Sequence, residues 1–127
     1  MKEVMAIIRA NKTNQTKVAL AENGFPAFSC RPVLGRGKAV VDSQLLQTIL
    51  AHGELPRDAV GESITEAGRL IAKRFFTLIV EDDEVDKVVE TIISVNQTQN
   101  KGDGKIFVLP IIESYKIRNG EKSADGF

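Results

Sequence analysis

The apolar positions of this chain fall into short β-rich runs separated by stretches of helical character. "KEVMAIIRA" near the N-terminus is a compact apolar run that predicts a strand covered on at least one face. "NKTNQTKVALAENG" supplies capping residues, then good helix formers, then Gly24 as a C-terminal stop. "FPAFSCRPVLG" predicts a second strand, and Pro26 and Pro32 assign it to an edge or a bulge. The pattern then repeats. "RFFTLIVE" (Arg74 to Glu81) is dense in β-formers, and Asp82 and Asp83 follow as N-cap candidates. Val85, Val88, Val89, Ile92 and Ile93 recur at helical spacing to about Asn96, and "KIFVLPIIE" supplies the next strand.

Two successive strand–helix–strand units predict an α+β fold of the ferredoxin-like, split βαβ kind, with helices on one face of an antiparallel sheet. The expected organisation is one domain over residues 1–127, with a long loop at about 38–72 inserted between the repeats. That insertion holds "SQLLQTILAHG", a short helix candidate, and the breaker-rich "ELPRDAVGESITEAGRL". Loops above ~15 residues in compact domains are usually functional or disordered, so this one is the expected partner-facing element.

Composition narrows the function classes. The 127 residues are 43% hydrophobic and 27% charged, with 17 basic against 17 acidic residues and no net charge. A nucleic-acid binder usually shows a basic excess, which is absent here. No apolar run approaches the ~20 residues of a membrane span. The single cysteine, Cys30, forbids an intrachain disulfide and fits a reducing cytoplasm. With one histidine, His52, the chain also lacks the ligands of a conventional zinc site. Asp82, Asp83 and Asp86 form an acidic cluster, but at a helix start they read as caps and dipole partners, not as a metal site.

Candidate chemistry lies in two glycine–lysine turns, "GRGK" (35 to 38) and "GDGK" (102 to 105). Neither is a Walker A sequence, and no dinucleotide fingerprint is present. Each nevertheless offers a backbone that can approach an anion closely, with a mobile lysine beside it. In "YKIRNGE" (115 to 121), Lys116 and Arg118 alternate as on one strand face. Together these cations suit a polyphosphate.

"VNQTQNKGDGKIFVLPIIESYKIRNGE" resembles the C-terminal signature of the PII (GlnB-like) signal-transduction family. "MKEVMAIIRANK", "ALAENGFPAFS", "VLGRGK" and "VEDDEVDKVVETII" match that family in order. The resemblance implies a regulator, not an enzyme, that forms trimers and holds ATP or ADP between subunits, with room for slow ATP hydrolysis. Carried onto this sequence, the nucleotide site is Ser29, Gly35, Arg36, Gly37, Lys38, Ile79, Thr98, Gly102, Asp103, Gly104, Lys105, Lys116 and Arg118. Lys116 and Arg118 are implied to reach across the subunit boundary. A 2-oxoglutarate site beside MgATP is implied at Gly37, Lys38, Lys73 and Gly102.

The chain departs from the family pattern at Ala39, where members carry a Gln that helps ligate Mg²⁺ and 2-oxoglutarate. Lys116 replaces an Arg and loses its bidentate fork. The inserted loop holds no tyrosine, so uridylylation there is not expected. "GFPAF", "CRPVLGRGK" and the unusual loop are most similar to the nitrogen-fixation branch. That likeness implies a sister subunit or a homotrimer, and the nitrogenase catalytic component as target. Arg57, Asp58, Glu62 and Glu66 are the candidate loop contacts. The alternatives are a PII-like regulator of a transporter or of another nitrogen-metabolism enzyme, a ferredoxin-like phosphoryl-transfer enzyme, and an RNA-binding module.

Overall fold

The computed structural model describes residues 1–37 and 70–125. Strand β1 (Lys2–Arg9) leads through a 3₁₀ turn into helix α1 (Thr13–Glu22), followed by β2 (Ser29–Gly35). The second repeat is β3 (Ile71–Val80), a 3₁₀ turn, helix α2 (Val85–Asn96) and β4 (Gly104–Pro110). A small hairpin of β5 (Ser114–Tyr115) and β6 (Lys122–Ser123) follows. The four-stranded sheet has the order β2-β3-β1-β4, so β2 is an edge strand, as Pro32 within it predicts, while Pro26 lies ahead of the strand, which begins at Ser29 and not at Phe25. The α+β, ferredoxin-like expectation therefore holds. The chain divides into two units, Met1–Val33 with Ala72–Phe127, and Leu34–Ile71.

Period-two burial sets the two faces of the sheet. Val4, Ala6 and Ile8 of β1 and Phe76, Leu78 and Val80 of β3 are buried beneath Leu20 of α1 and Val88 and Ile92 of α2. Between the helices, the fully buried Thr16 donates to the Lys12 carbonyl and accepts from Asn96 Nδ2 at 3.0 Å. Both repeats thus press the same side of the sheet, and the other side is open.

Element ends follow local chemistry. At the end of α1, Gly24 takes φ +90, its N–H donates to Ala21, and the Phe25 N–H reaches back to Leu20 at 2.8 Å. This is a Schellman closure that needs a left-handed residue, and it bears out Gly24 as the stop. Three details correct the sequence reading. Strand β3 begins at Ile71, not Arg74, so residues 71 to 73 belong to the sheet. Asp82 and Asp83 are not the caps. Glu81 is the N-cap of the 3₁₀ turn and Glu84 that of α2; the Glu81 N–H donates to the Glu84 carboxylate at 3.3 Å, while Asp82 accepts from the N-terminal amine at 2.7 Å. Lys116 and Arg118 do not alternate along a strand, because residues 117–119 form the turn of the β5–β6 hairpin.

Candidate functional site

The register of β1 with its two neighbours writes the open face out in rows. Ile79, Glu3 and Leu109 stand opposite one another, then Thr77, Met5 and Phe107, then Phe75, Ile7 and Lys105. Paired residues of antiparallel strands project to the same side, so these all lie away from the helices. Ser29 joins this face, lining a cavity of about 450 Å³ with Glu3, Met5, Phe75 and Thr77. Three residues scattered in sequence, Ser29, Ile79 and Lys105, therefore share one surface.

At the lower end of that surface, Arg9 and Lys73 are cross-strand partners. Beside them runs the turn that enters β4. Gln99, Gly102 and Gly104 all take positive φ, at 65, 96 and 118 degrees. A non-glycine residue in that region costs on the order of 1 kcal/mol, so something must hold the turn. Asp103 does so from within. Its carboxylate accepts from the Thr98 N–H at 2.7 Å and, in a very short bond, from the Thr98 hydroxyl. Arg9 does so from outside. One guanidinium nitrogen donates to the Lys101 carbonyl at 2.9 Å and to Asp103 at 3.2 Å. Lys73 Nζ donates to the Gly102 carbonyl at 2.7 Å.

The electrostatics follow from these bonds. The Thr98 hydroxyl, then the Thr98 N–H, then Arg9 hold the Asp103 carboxyl well below the usual carboxylate range. The lowered value means that the carboxylate's stabilising effect is present above the unfolded range and is lost only as pH falls through the folded value. At pH 3.8, where an ordinary aspartate is half protonated, Asp103 is expected to remain ionised. A carboxyl-carbon titration by NMR checks this, and a midpoint near 3.8 would contradict the network. Burial, and then the neighbouring Arg9 charge, push Lys73 down, with Asp103 opposing. Two cations against one carboxylate leave this corner positive, with Lys101 and Lys105 close by in sequence. Such a corner attracts anions.

Ser29, Ile79, Lys73, Thr98 and the Gly102–Lys105 turn thus gather on or beside the open face. Lys116 and Arg118 stand apart on the hairpin turn. Gly35 ends β2, and Arg36 and Gly37 follow it. Lys38, Ala39, His52, Arg57, Asp58, Glu62 and Glu66 lie outside the described residues. Sequence reading missed Arg9. The available signal was its place in the odd-numbered series Glu3, Met5, Ile7, which continues the open face to the turn. Among the described residues no group of three or more His, Cys, Asp or Glu could hold a metal ion. Nor is any described helix long and apolar enough to cross a membrane.

A model of the family described as "Nitrogen regulatory protein P-II" matches residues 1–121. The chain belongs to this family of regulatory signalling proteins. Its similarity extends to a "Nitrogen fixation nifHD region GlnB-like protein 2" of Methanothermobacter marburgensis, 39% identical over 127 residues and covering 98% of both chains. A "Nitrogen fixation nifHD1 region GlnB-like protein 2" of Methanosarcina barkeri is 42% identical over 122 residues, covering 96% of this chain and 95% of that one. Among solved structures, Arabidopsis thaliana PII bound to citrate superposes with a TM-score of 0.66 at 26% identity, over 97% of this chain and 85% of that one. The resemblance read from "GDGK" and its neighbours is thereby borne out at family level, as is the likeness to the nitrogen-fixation branch.

Proposed function

We propose that this chain is a cytoplasmic nitrogen-status sensor that binds ATP or ADP on its open sheet face and 2-oxoglutarate beside Lys73. The observation that carries this reading is the Gly102–Lys105 turn. It combines positive-φ glycines, fixed carbonyls and a lysine at the positive end of the open face. Gly102, Gly104 and Lys105 would hold phosphates, Ser29 and Ile79 would flank the base, and Thr98 would act through Asp103. Mg²⁺ would arrive with the nucleotide's phosphates and neutralise part of their charge.

A nucleotide on this face meets only half an enclosure, because Phe107 and Leu109 beside it are 42% and 37% exposed. A trimer would supply the other half, bringing Lys116 and Arg118 of a neighbouring copy or of a sister subunit. The inserted loop, with Arg57, Asp58, Glu62 and Glu66, would then carry the signal to its target. Relatives named for nitrogen-fixation regions support the nitrogenase catalytic component as that target.

Calorimetry with MgATP, with and without 2-oxoglutarate, tests the sensor. ATP is expected to bind and 2-oxoglutarate to tighten it, with reciprocal coupling. Lys105→Gln should weaken ATP by roughly tenfold or more, the value of one charge-assisted bond to phosphate. ATP that binds with no response to 2-oxoglutarate would assign Ala39 a disabling role. No ATP binding at all would remove the nucleotide reading.

A further inference from the structure

The side of the sheet that faces the helices holds a cavity that the nucleotide reading does not use. The buried residues Val4, Ala6 and Ile8 of β1 face the helices, and their partners on β4 are Val108, Ile106 and Gly104. Helix α2 packs on β1 and stops short of covering β4, which leaves a groove of about 500 Å³ between helix and edge strand. Val89, Ile92 and Ile93 form its helix wall, and Ile106 and Val108 its strand wall. Its polar end is where α2 finishes, at Asn96 and Gln97.

Two observations define what this groove accepts. The first is charge. Asp103 and Lys105 line one edge, but both are engaged elsewhere. The Asp103 carboxylate is held by Thr98 and Arg9, and the Lys105 ammonium sits over the Phe107 ring, 5.5 Å from its centroid, toward the open face. An ion entering the groove would lose its hydration and find no free counter-charge, so the groove suits a neutral molecule.

The second is Asn96, which is only 5% exposed. Its Nδ2 donates to the Thr16 hydroxyl at 3.0 Å and to the Ile92 carbonyl at 2.9 Å. The amide cannot be turned over. Its oxygen would then face the Ile92 carbonyl and a Thr16 hydroxyl whose proton is already given to Lys12. Asn96 Oδ1 is therefore left buried, with no hydrogen-bond partner among the described residues. Buried polar atoms in folded proteins are nearly always satisfied, and an orphan acceptor on a residue that lines an apolar groove calls for a donor.

We propose that the groove between α2 and β4 binds a neutral, largely apolar small molecule that carries one N–H or O–H donor. Asn96 Oδ1 accepts from that donor, and the aliphatic walls bury the rest. Cavities of ~300–1,000 Å³ with apolar walls and a few polar groups are the usual sites of such ligands. This site is independent of the nucleotide reading, since it lies on the other side of the sheet.

Indole and 1-methylindole test it, because they share an apolar body and only indole carries a donor. Each is titrated into the full chain and followed by backbone amide shifts. Indole is expected to move the amides of Ile93, Gln97, Ile106 and Val108 and to leave Phe75 and Thr77 unmoved. 1-Methylindole should bind more weakly by roughly three- to tenfold, the worth of one hydrogen bond. Ile93→Trp, at an exposed position of the helix wall, should fill the groove and abolish indole binding. Val108→Trp gives the same readout from the strand wall should the first variant fail to fold. Equal affinity for the two probes would overturn the role of Asn96. Absence of binding, or undiminished binding to the filled variants, would overturn the site itself. So would groove amides that shift with protein concentration alone and exclude indole, because a second copy would then be the occupant.

Discussion

Gly104→Ala is expected to abolish nucleotide binding and to cost the fold several kcal/mol. A Cβ built at this residue falls 1.9 Å from the Ile7 carbonyl oxygen and 3.0 Å from its carbon, both backbone atoms that no rotamer change can move. The same residue sits at φ +118, which L side chains rarely adopt. Positive-φ strain accounts for ~1–3 kcal/mol. Forcing atoms into an occupied space adds ~1–3 kcal/mol more. The alternative to bearing that cost is to part β1 from the start of β4, where Ile8 pairs with Gly104. Parting those strands would carry the 100–104 turn away from Arg9 and Lys73. A fall in the unfolding midpoint on the order of 10 °C is expected for a domain of this size. Gly24→Ala supplies the control. Gly24 also has positive φ, at +90, but nothing lies within 4 Å of its added Cβ, so only the strain term applies. Equal thermal shifts for the two variants would show that the close approach to Ile7 is not what requires glycine at 104.

Much of this arrangement is legible in the sequence, and the reasons are physical. Helix α2 buries one face against the sheet, so its apolar period of 3.6 survives intact in the chain, whereas β1 is legible as an unbroken apolar run whose alternation appears only in its burial. The Gly24 stop is a local event closed within six residues. Reading fails where local letters are ambiguous or where partners are distant. Ile71 and Ala72 lie ahead of the charged pair Lys73–Arg74, which looks like a strand boundary but stands on the half-exposed part of β3. Lys116 and Arg118 alternate like a strand. The bonds of the turn prevail there, with the Lys116 N–H donating to Glu121, the Gly120 N–H to Lys116, and Gly120 at φ +73. For Arg9 the acceptors lie 92 and 94 residues away, and only the folded register brings them together. The glycines of the candidate site were legible because glycine's freedom marks them. Of the two cations bonded to the turn, Lys73 is marked only by the family resemblance and Arg9 not at all, because lysine and arginine are common on any surface.

Phe76→Ala is the other large effect expected, and it separates the core from the site. Phe76 is fully buried at the centre of β3, the strand that also presents Lys73 and Ile79 on its opposite face. Its ring meets Phe28 at 5.4 Å between centroids, tilted by 48 degrees, and Phe28 directly precedes Ser29. Truncating a buried phenylalanine to alanine costs ~3–5 kcal/mol through lost transfer energy and the cavity left behind. Domains of this kind are stable by only ~5–15 kcal/mol, so the variant should unfold at markedly lower urea at a fixed protomer concentration. Its effect on function should be of a different kind from that of Lys105→Gln. The turn, Arg9 and Asp103 contact one another and not Phe76, so the folded fraction should still bind nucleotide, weakened modestly through Ser29. Saturating MgATP at about 100 times its dissociation constant should then restore ~2.7 kcal/mol of stability, because ligand that binds only the folded state stabilises by mass action. Urea denaturation with and without MgATP measures both quantities. A Phe76→Ala protein that folds normally yet gains nothing from MgATP would mean that the buried face of β3, and not the turn, governs the nucleotide site.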